Sequence, residues 1–153
     1  MCSSDLIFLH ECLGKKGYIH YEISNFCRPS RESIHNRKYW NRAPYLGIGP
    51  AAHSLWHGKR FSYENWDDFL TGSLVEKYRG ALPLTPQEII EEKIMLSART
   101  LEGIAIELLS PRATNCLQNM QENRLMVRKG KKAFATLQGW MVLNSLILKL
   151  IEE

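Results

Sequence analysis

The start of the chain shows two hydrophobic periods in succession, first helical and then strand-like. Leu6, Leu9 and Leu13 recur at helical spacing, which predicts a helix that nearby glycines terminate. Tyr18–Phe26 then alternates with a period of two, which predicts a strand. A helix joined to a strand by a short turn is the αβ step of a barrel or of a doubly wound sheet.

The polar face of this predicted strand carries His20, Glu22 and Ser24. In a barrel, such a row faces inward and lines a cavity rather than a packed core. An edge strand with one face in water would show the same alternation. The pattern leaves both interpretations open.

A further helix is indicated after a linker at Gly80–Leu84, where we place a domain boundary. Thr85 can cap this helix, Pro86 suits its first turn, and Glu88 completes a capping box. Hydrophobic residues continue at helical spacing, and the helix is expected to end near Gly103.

The remaining pattern predicts a helix, a hairpin and a final helix. Pro111 precedes a helix in which Leu117 and Met120 are buried, and Lys129–Lys131 marks the turn of the hairpin. Thr136 is placed to cap a long last helix. This order is typical of a winged-helix module, so the predicted fold class is α/β at the start and α+β in the C-terminal domain.

The segment between these two parts is rich in turn formers, arginine and aromatic residues. It predicts ordered loop over Arg28–Arg60, with one strand at Tyr45–Ile48 and a short helix around Asp67–Leu70. The predicted domain limits are residues 7–27, a connecting segment over 28–82, and a C-terminal domain over 83–153.

Composition excludes several classes of protein. Of the 153 residues 44% are hydrophobic and 24% are charged, which favours a folded chain. A net charge of +4 alone argues neither for nor against an anionic partner. No apolar run approaches the roughly 18 residues of a membrane span, and no secretory signal is visible. The four cysteines form no CxxC pair, so we expect reduced thiols in the cytoplasm rather than zinc or disulfides.

The first six residues, Met1–Leu6, resemble the translation of a common sequencing adapter. They predict a non-native start, with the reading frame entering a longer gene part-way through.

A histidine among aromatic and cationic residues is the most suggestive chemistry in the chain. Imidazole is a common ligand of heme iron, so His35 is the candidate metal ligand. Asn36 can orient that ring, and Tyr39 and Trp40 offer flat surfaces to a planar ligand. Cationic groups suit carboxylates such as heme propionates. The candidate cations are Arg28, Arg31, Arg37, Lys38 and Arg42.

The same residues also have a purely structural interpretation. His35 and Asn36 can hold a loop in place by hydrogen bonds, with Trp40 as its anchor in the core. Both interpretations stay open.

A glycine-proline turn at Gly47–Ala52 carries a second histidine, His53. The spacing fits a dinucleotide fingerprint only superficially, because no parallel strand returns after it. A tight turn that brings the backbone close to a ligand or to the ends of strands is the better interpretation. His53 and His57 are either additional metal ligands or, by our preference, polar loop contacts.

Three blocks in this order, Tyr21–Phe26, His35–Trp40 and Tyr45–Ser54, resemble the second half of the HemW-type heme chaperones. These are relatives of oxygen-independent coproporphyrinogen III oxidase in the radical SAM superfamily. The resemblance implies that the first helix and strand end a radical SAM partial barrel and that a winged-helix-like domain follows. It associates the His-Asn-x-x-Tyr-Trp motif with heme binding. The family usually has glycine at the position of Ala51.

The resemblance further implies a cytoplasmic protein that binds heme and passes it to an acceptor that the sequence does not identify. Relatives hold a [4Fe–4S] cluster on a CxxxCxxC motif and bind S-adenosylmethionine, but this chain has no such spacing. We therefore expect it to be the C-terminal part of a longer protein and to be inactive alone.

Two alternatives remain. One is an actual coproporphyrinogen oxidase of porphyrin biosynthesis, and the other is a winged helix that binds nucleic acid through a basic wing. The wing cations are Arg128, Lys129, Lys131 and Lys132.

Overall fold

The computed structural model describes residues 3–152, with side chains from residue 5 onward. These residues form two compact units. The first unit comprises the chain up to Asn41 and from Ile90 onward, and the second comprises Arg42–Ile89. The domain limits predicted from the sequence differ from the limits of these two units, and they remain a prediction.

The first unit begins with a helix and a hairpin. Helix α1 spans Ser3–Lys15, strand β1 spans Ile19–Glu22, and strand β2 spans Asn25–Cys27. The predicted helix is confirmed, but the single strand predicted over Tyr18–Phe26 is wrong because the chain reverses at Ile23 and Ser24. Glu22 fixes this reversal, since its carboxylate accepts hydrogen bonds from the Ser24 N–H at 3.1 Å and from the Asn25 side-chain amide.

The polar face of β1 is covered by protein rather than by water. His20 is 5% exposed and Glu22 is 0% exposed, whereas Ser24, beyond the end of β1, is exposed. An edge strand with a solvated face does not describe this arrangement. The alternation reflects buried polar groups that have hydrogen-bond partners.

The C-terminal part of the first unit alternates helices with a small sheet. Its elements are α5 (Pro86–Ser97) from Ile90 onward, β5 (Ile104–Ala105), a 3₁₀ turn (Ile106–Leu108), α6 (Pro111–Glu122), β6 (Met126–Lys129), β7 (Lys132–Ala135), α7 (Leu137–Met141) and α8 (Leu143–Ile151). The sheet is antiparallel with β7 in the centre, in the order β5-β7-β6. The predicted hairpin is confirmed, and Leu117 and Met120 are buried as predicted.

Helix α5 starts as predicted but ends earlier. The Thr85 N–H donates to the Glu88 carboxylate at 2.7 Å, and the Glu88 N–H donates to the Thr85 hydroxyl at 3.2 Å. The helix stops at Ser97 rather than near Gly103, because the following residues run beside β1. There the Leu101 N–H donates to a β1 carbonyl at 3.2 Å.

The predicted long final helix is divided in two. Thr136 caps α7 as predicted, accepting from the Gly139 N–H at 3.0 Å. Val142 leaves the helical conformation, with φ −120° and ψ 22°. The break lets α7 pack on α1 and β7 while α8 packs on α6.

Two short helices lie where the sequence predicted none. They are α2 (Ile34–Trp40) and α4 (Leu74–Gly80). Neither contains a fully buried residue, so neither shows the hydrophobic stripe by which a helix is recognised in a sequence.

Trp140 connects the two sequence-distant parts of the first unit. Its indole N–H donates to the Ala98 carbonyl at 3.2 Å. The edge of its ring lies against His20, with 4.4 Å between centroids. Around this contact, the largest fully buried apolar side chains of the core are Ile104, Leu117 and Met126.

The second unit is built on a hairpin. Its strands are β3 (His53–Trp56) and β4 (Lys59–Ser62), followed by α3 (Trp66–Thr71) and α4. The short helix predicted around Asp67–Leu70 is confirmed. The strand predicted at Tyr45–Ile48 is wrong, because only Tyr45 pairs with Leu55 before the chain turns.

Two backbone N–H groups of the glycine-proline turn donate hydrogen bonds to residues outside the turn. The Gly47 N–H donates to the buried Ser54 hydroxyl at 2.9 Å, and a Cβ at Gly47 would collide with the His53 carbonyl. Ala51 is left-handed, with φ 58°, while its N–H donates to the Tyr63 carbonyl at 2.8 Å. A left-handed alanine is strained, which is a physical reason to prefer glycine there.

Replacing this alanine tests the turn. We expect Ala51→Gly to raise the free energy of unfolding by up to about 1 kcal/mol, because glycine removes the left-handed strain. Ala52→Gly is the matched control and should lower stability, since Ala52 is not left-handed and glycine only adds freedom to the unfolded chain. Urea unfolding measures both; equal losses in the two variants would refute strain at Ala51.

The buried imidazole of His20 makes stability depend on pH. Burial lowers the pKa of His20, with the Ile23 carbonyl opposing and His10 adding to the effect. The unfolded state therefore binds more protons just below about pH 6.5, and stability is lost as pH falls from there through the folded pKa. Urea unfolding at neutral and mildly acidic pH should show a smaller acid loss in His20→Gln than in the wild type. An identical loss would assign the effect to other groups.

Candidate site on helix α2

Helix α2 carries most of the predicted site. Ser33 caps it by accepting from the Asn36 N–H at 3.2 Å. Residues four apart share a helix face, so His35 lies beside Tyr39, whereas Asn36 lies beside Trp40 on the adjacent face. The His35 and Tyr39 rings meet edge to face, 4.8 Å between centroids at 84°. Both rings are exposed, so the imidazole is accessible.

The other side of α2 borders a cavity of about 240 Å³ within the first unit. Trp40 and Arg37 contribute to its wall, and His35 does not. The full lining is Ile19, Tyr21, Glu32, Arg37, Trp40, Thr100, Leu101 and Glu102. The indole Nε1 of Trp40 is buried and has no hydrogen-bond partner within residues 3–152. The motif therefore divides between an exposed face and a cavity wall.

The charge of the cavity is mixed rather than cationic. Arg37 pairs with Glu102 at 3.2 Å, and Glu32 is a second carboxylate in the wall. Sequence analysis missed both glutamates, because Glu102 lies 65 positions from Arg37 and no local pattern connects them. Both partners of the pair are about half exposed, so the pair adds little stability.

The other predicted residues are distributed over both units. Arg42 and His53 belong to the second unit, where Arg42 is partly buried and His53 is exposed at the start of β3. Burial lowers the pKa of the Arg42 guanidinium. His57 stacks on Trp56 with 5.2 Å between centroids. The first unit by itself therefore groups five of the seven predicted site residues, all on α2.

The remaining cations and the nearby cysteine have separate positions. Arg28 lies over the ring of Tyr18 at 5.8 Å, and Arg31 and Lys38 are exposed. Cys27 is a buried free thiol. Burial raises the pKa of that thiol, and the charge of Glu32 adds to the effect. A raised pKa makes the thiol a poor nucleophile.

The described residues contain neither a metal-binding cluster nor a helix that could span a membrane. Within residues 3–152, no group of three His, Cys, Asp or Glu side chains is arranged to hold a metal ion. No helix in the same range combines the length and apolarity needed to cross a bilayer.

The chain resembles named proteins in sequence. It is 36% identical over 103 residues to the heme chaperone HemW of Lactococcus lactis, a match that covers 65% of this chain and 27% of that protein. It is 27% identical over 163 residues to the mitochondrial radical S-adenosyl methionine domain-containing protein 1 of Bos taurus, covering 92% and 37%. No protein-family profile matches. The chain thus spans about a quarter to two fifths of these relatives.

The fold has a solved counterpart. The radical SAM enzyme coproporphyrinogen III oxidase (HemN) of Escherichia coli superposes with a TM-score of 0.63 over 95% of this chain and 39% of its own, at 15% identity. That identity shows a shared fold and no more. Together with the sequence matches, it confirms that the chain resembles the HemW-type, coproporphyrinogen oxidase-like proteins of the radical SAM superfamily.

Proposed function

We propose that this chain supplies a heme-binding surface to a HemW-like protein, with His35 as the ligand of the heme iron. The observation that carries the proposal is the exposed imidazole of His35 on an ordered, capped helix. Sequence relatives that are named heme chaperones support heme as the cargo. One neutral imidazole is sufficient as a protein ligand of heme iron.

The heme would lie on the surface rather than in a pocket. The cavity beside α2, at about 240 Å³, is smaller than the ~300–1,000 Å³ of pockets that enclose drug-sized ligands. A porphyrin would therefore lie across the outside of the helix, with Tyr39 beside the iron ligand. Surface binding through one side-chain ligand suits a cargo that must be released.

The cavity wall would hold an edge of the porphyrin rather than its centre. The indole of Trp40 lines this wall and can contact the edge of a porphyrin, although its Nε1 atom is buried. The exposed cations Arg31 and Lys38 would offset the negative charge of the propionates. The same proposal includes the transfer of heme to an unidentified acceptor and a cytoplasmic location for the protein.

The radical chemistry of the superfamily does not fit the residues of this chain. Its four cysteines, Cys2, Cys12, Cys27 and Cys116, do not form the CxxxCxxC motif that holds a [4Fe–4S] cluster in the family. A cluster and S-adenosylmethionine therefore belong to a longer protein in this proposal, and we expect the 153-residue chain to be inactive alone. The domain limits belong to the same proposal.

An oxidase of porphyrin biosynthesis is the second candidate. The solved counterpart is such an enzyme, but its 15% identity supports the fold alone. The relatives with the higher sequence identity are named chaperones, and we favour their function.

A winged helix is our proposal for the C-terminal part. The order α5, β5, 3₁₀ turn, α6 and the β6–β7 hairpin supports it, as does the central position of β7. Nucleic-acid binding is disfavoured, because three of the four wing cations contact their own chain. Lys132 donates to the Glu102 carbonyl at 2.8 Å, Arg128 donates to the Gly130 carbonyl at 3.1 Å, and Lys129 lies over Phe134.

Heme titration tests the iron ligand. We expect His35→Ala to weaken heme binding by about tenfold or more and to abolish the shift of the Soret band, because the iron loses its protein ligand. His57→Ala is the control, since it removes another exposed histidine and should leave the titration unchanged. Equal titrations for the wild type and His35→Ala would leave His35 with a structural role only.

A gel-shift assay tests the nucleic-acid alternative. We expect no retardation of duplex DNA at low salt, because Arg128, Lys129 and Lys132 are engaged within the chain. Retardation that disappears as salt is added would contradict this and favour a DNA-binding winged helix.

A further inference from the structure

Two histidines outside the proposed heme site meet within the first unit. His10 lies on α1 and His20 lies on β1, and their Nδ1 atoms are 3.3 Å apart. The two ring centroids are 5.5 Å apart and the rings are tilted by 58°. Neither residue belongs to the three sequence blocks that resemble the heme chaperones.

A hydrogen bond to a backbone carbonyl determines which nitrogen of His20 carries the proton. The Nε2 atom of His20 lies 3.3 Å from the Ile23 carbonyl, which can only accept, so Nε2 carries the proton. A neutral His20 ring then presents the lone pair of Nδ1 toward His10, where it can accept a hydrogen bond from the His10 Nδ1–H. The orientation of a metal-ligating histidine is fixed in the same way, by an N–H that donates to a backbone carbonyl.

Aromatic rings cover His20, and solvent can reach the histidine pair from the side of His10. The His20 ring stacks on Phe26 at 4.0 Å between centroids and meets the edge of Trp140 at 4.4 Å. His10 is exposed, which opens the pair to solvent on that side.

We propose that His10 and His20 form a two-nitrogen site for a late first-row divalent metal ion such as Zn²⁺, Ni²⁺ or Cu²⁺. Metal–nitrogen bonds of about 2.0–2.1 Å at a tetrahedral angle place two ligand nitrogens roughly 3.3–3.4 Å apart, which matches the observed separation. Binding replaces the hydrogen bond between the rings. The His10 proton moves from Nδ1 to the exposed Nε2, so no proton is lost overall.

The donor set defines the class of ion. Imidazole nitrogen suits zinc, copper and nickel, whereas calcium and magnesium require oxygen ligands. Since no third His, Cys, Asp or Glu joins the pair in the part of the chain that the structure describes, water must complete the coordination. The site is open, in contrast to a closed structural zinc site.

Calorimetric titration of Zn²⁺ into the full chain tests the site. We expect His10→Gln to weaken binding by about tenfold or more, because one of two protein ligands is lost. His57→Gln is the matched control that removes another exposed histidine, and it should bind Zn²⁺ like the wild type. Unchanged affinity in His10→Gln would overturn the proposal.

Nuclear magnetic resonance of ¹⁵N-labelled histidine supplies a readout that does not depend on a variant folding. Without metal, the His20 ring should show the Nε2–H tautomer. Zinc should shift the Nδ1 signals of both His10 and His20. The opposite tautomer at His20, or zinc shifts confined to His35, His53 and His57, would overturn the proposal.

Discussion

The buried ring of Trp140 is the contact on which the first unit depends. It joins the end of α5, through the Ala98 carbonyl, to the hairpin of β1 and β2, through His20. These elements are far apart in sequence and none could bury its own apolar surface alone. Helix α2 follows this hairpin in the chain, and its Trp40 lines the same cavity as Tyr21 of β1.

The sequence predicted those helices and strands whose ends are marked by capping or turn residues. Thr85 with Glu88 and Thr136 with Gly139 form the predicted caps, and the hairpin around Gly130 is where turn residues interrupt two strands. Local pattern could not reveal the reversal after Glu22, because that turn depends on a buried carboxylate which accepts hydrogen bonds from the next residues. Alternation alone is the same for a long strand and for a tight hairpin.

The candidate site was predictable in its residues but not in its arrangement. The His-Asn-x-x-Tyr-Trp motif supplied the candidate iron ligand and its aromatic neighbours, yet the short helix that carries them has no hydrophobic stripe. Helical geometry then separates His35 and Tyr39 from Trp40, which lines a cavity with Glu102. The cavity depends on a contact across 65 positions, which no single sequence pattern contains.

The central claim is that the exposed imidazole of His35 meets heme iron. Paramagnetic ferric heme broadens the signals of nuclei near it, so ¹⁵N-histidine spectra recorded during a heme titration test the claim directly. The account predicts that the ring signals of His35 disappear first. His35 signals that keep their position and width at saturating heme would contradict it.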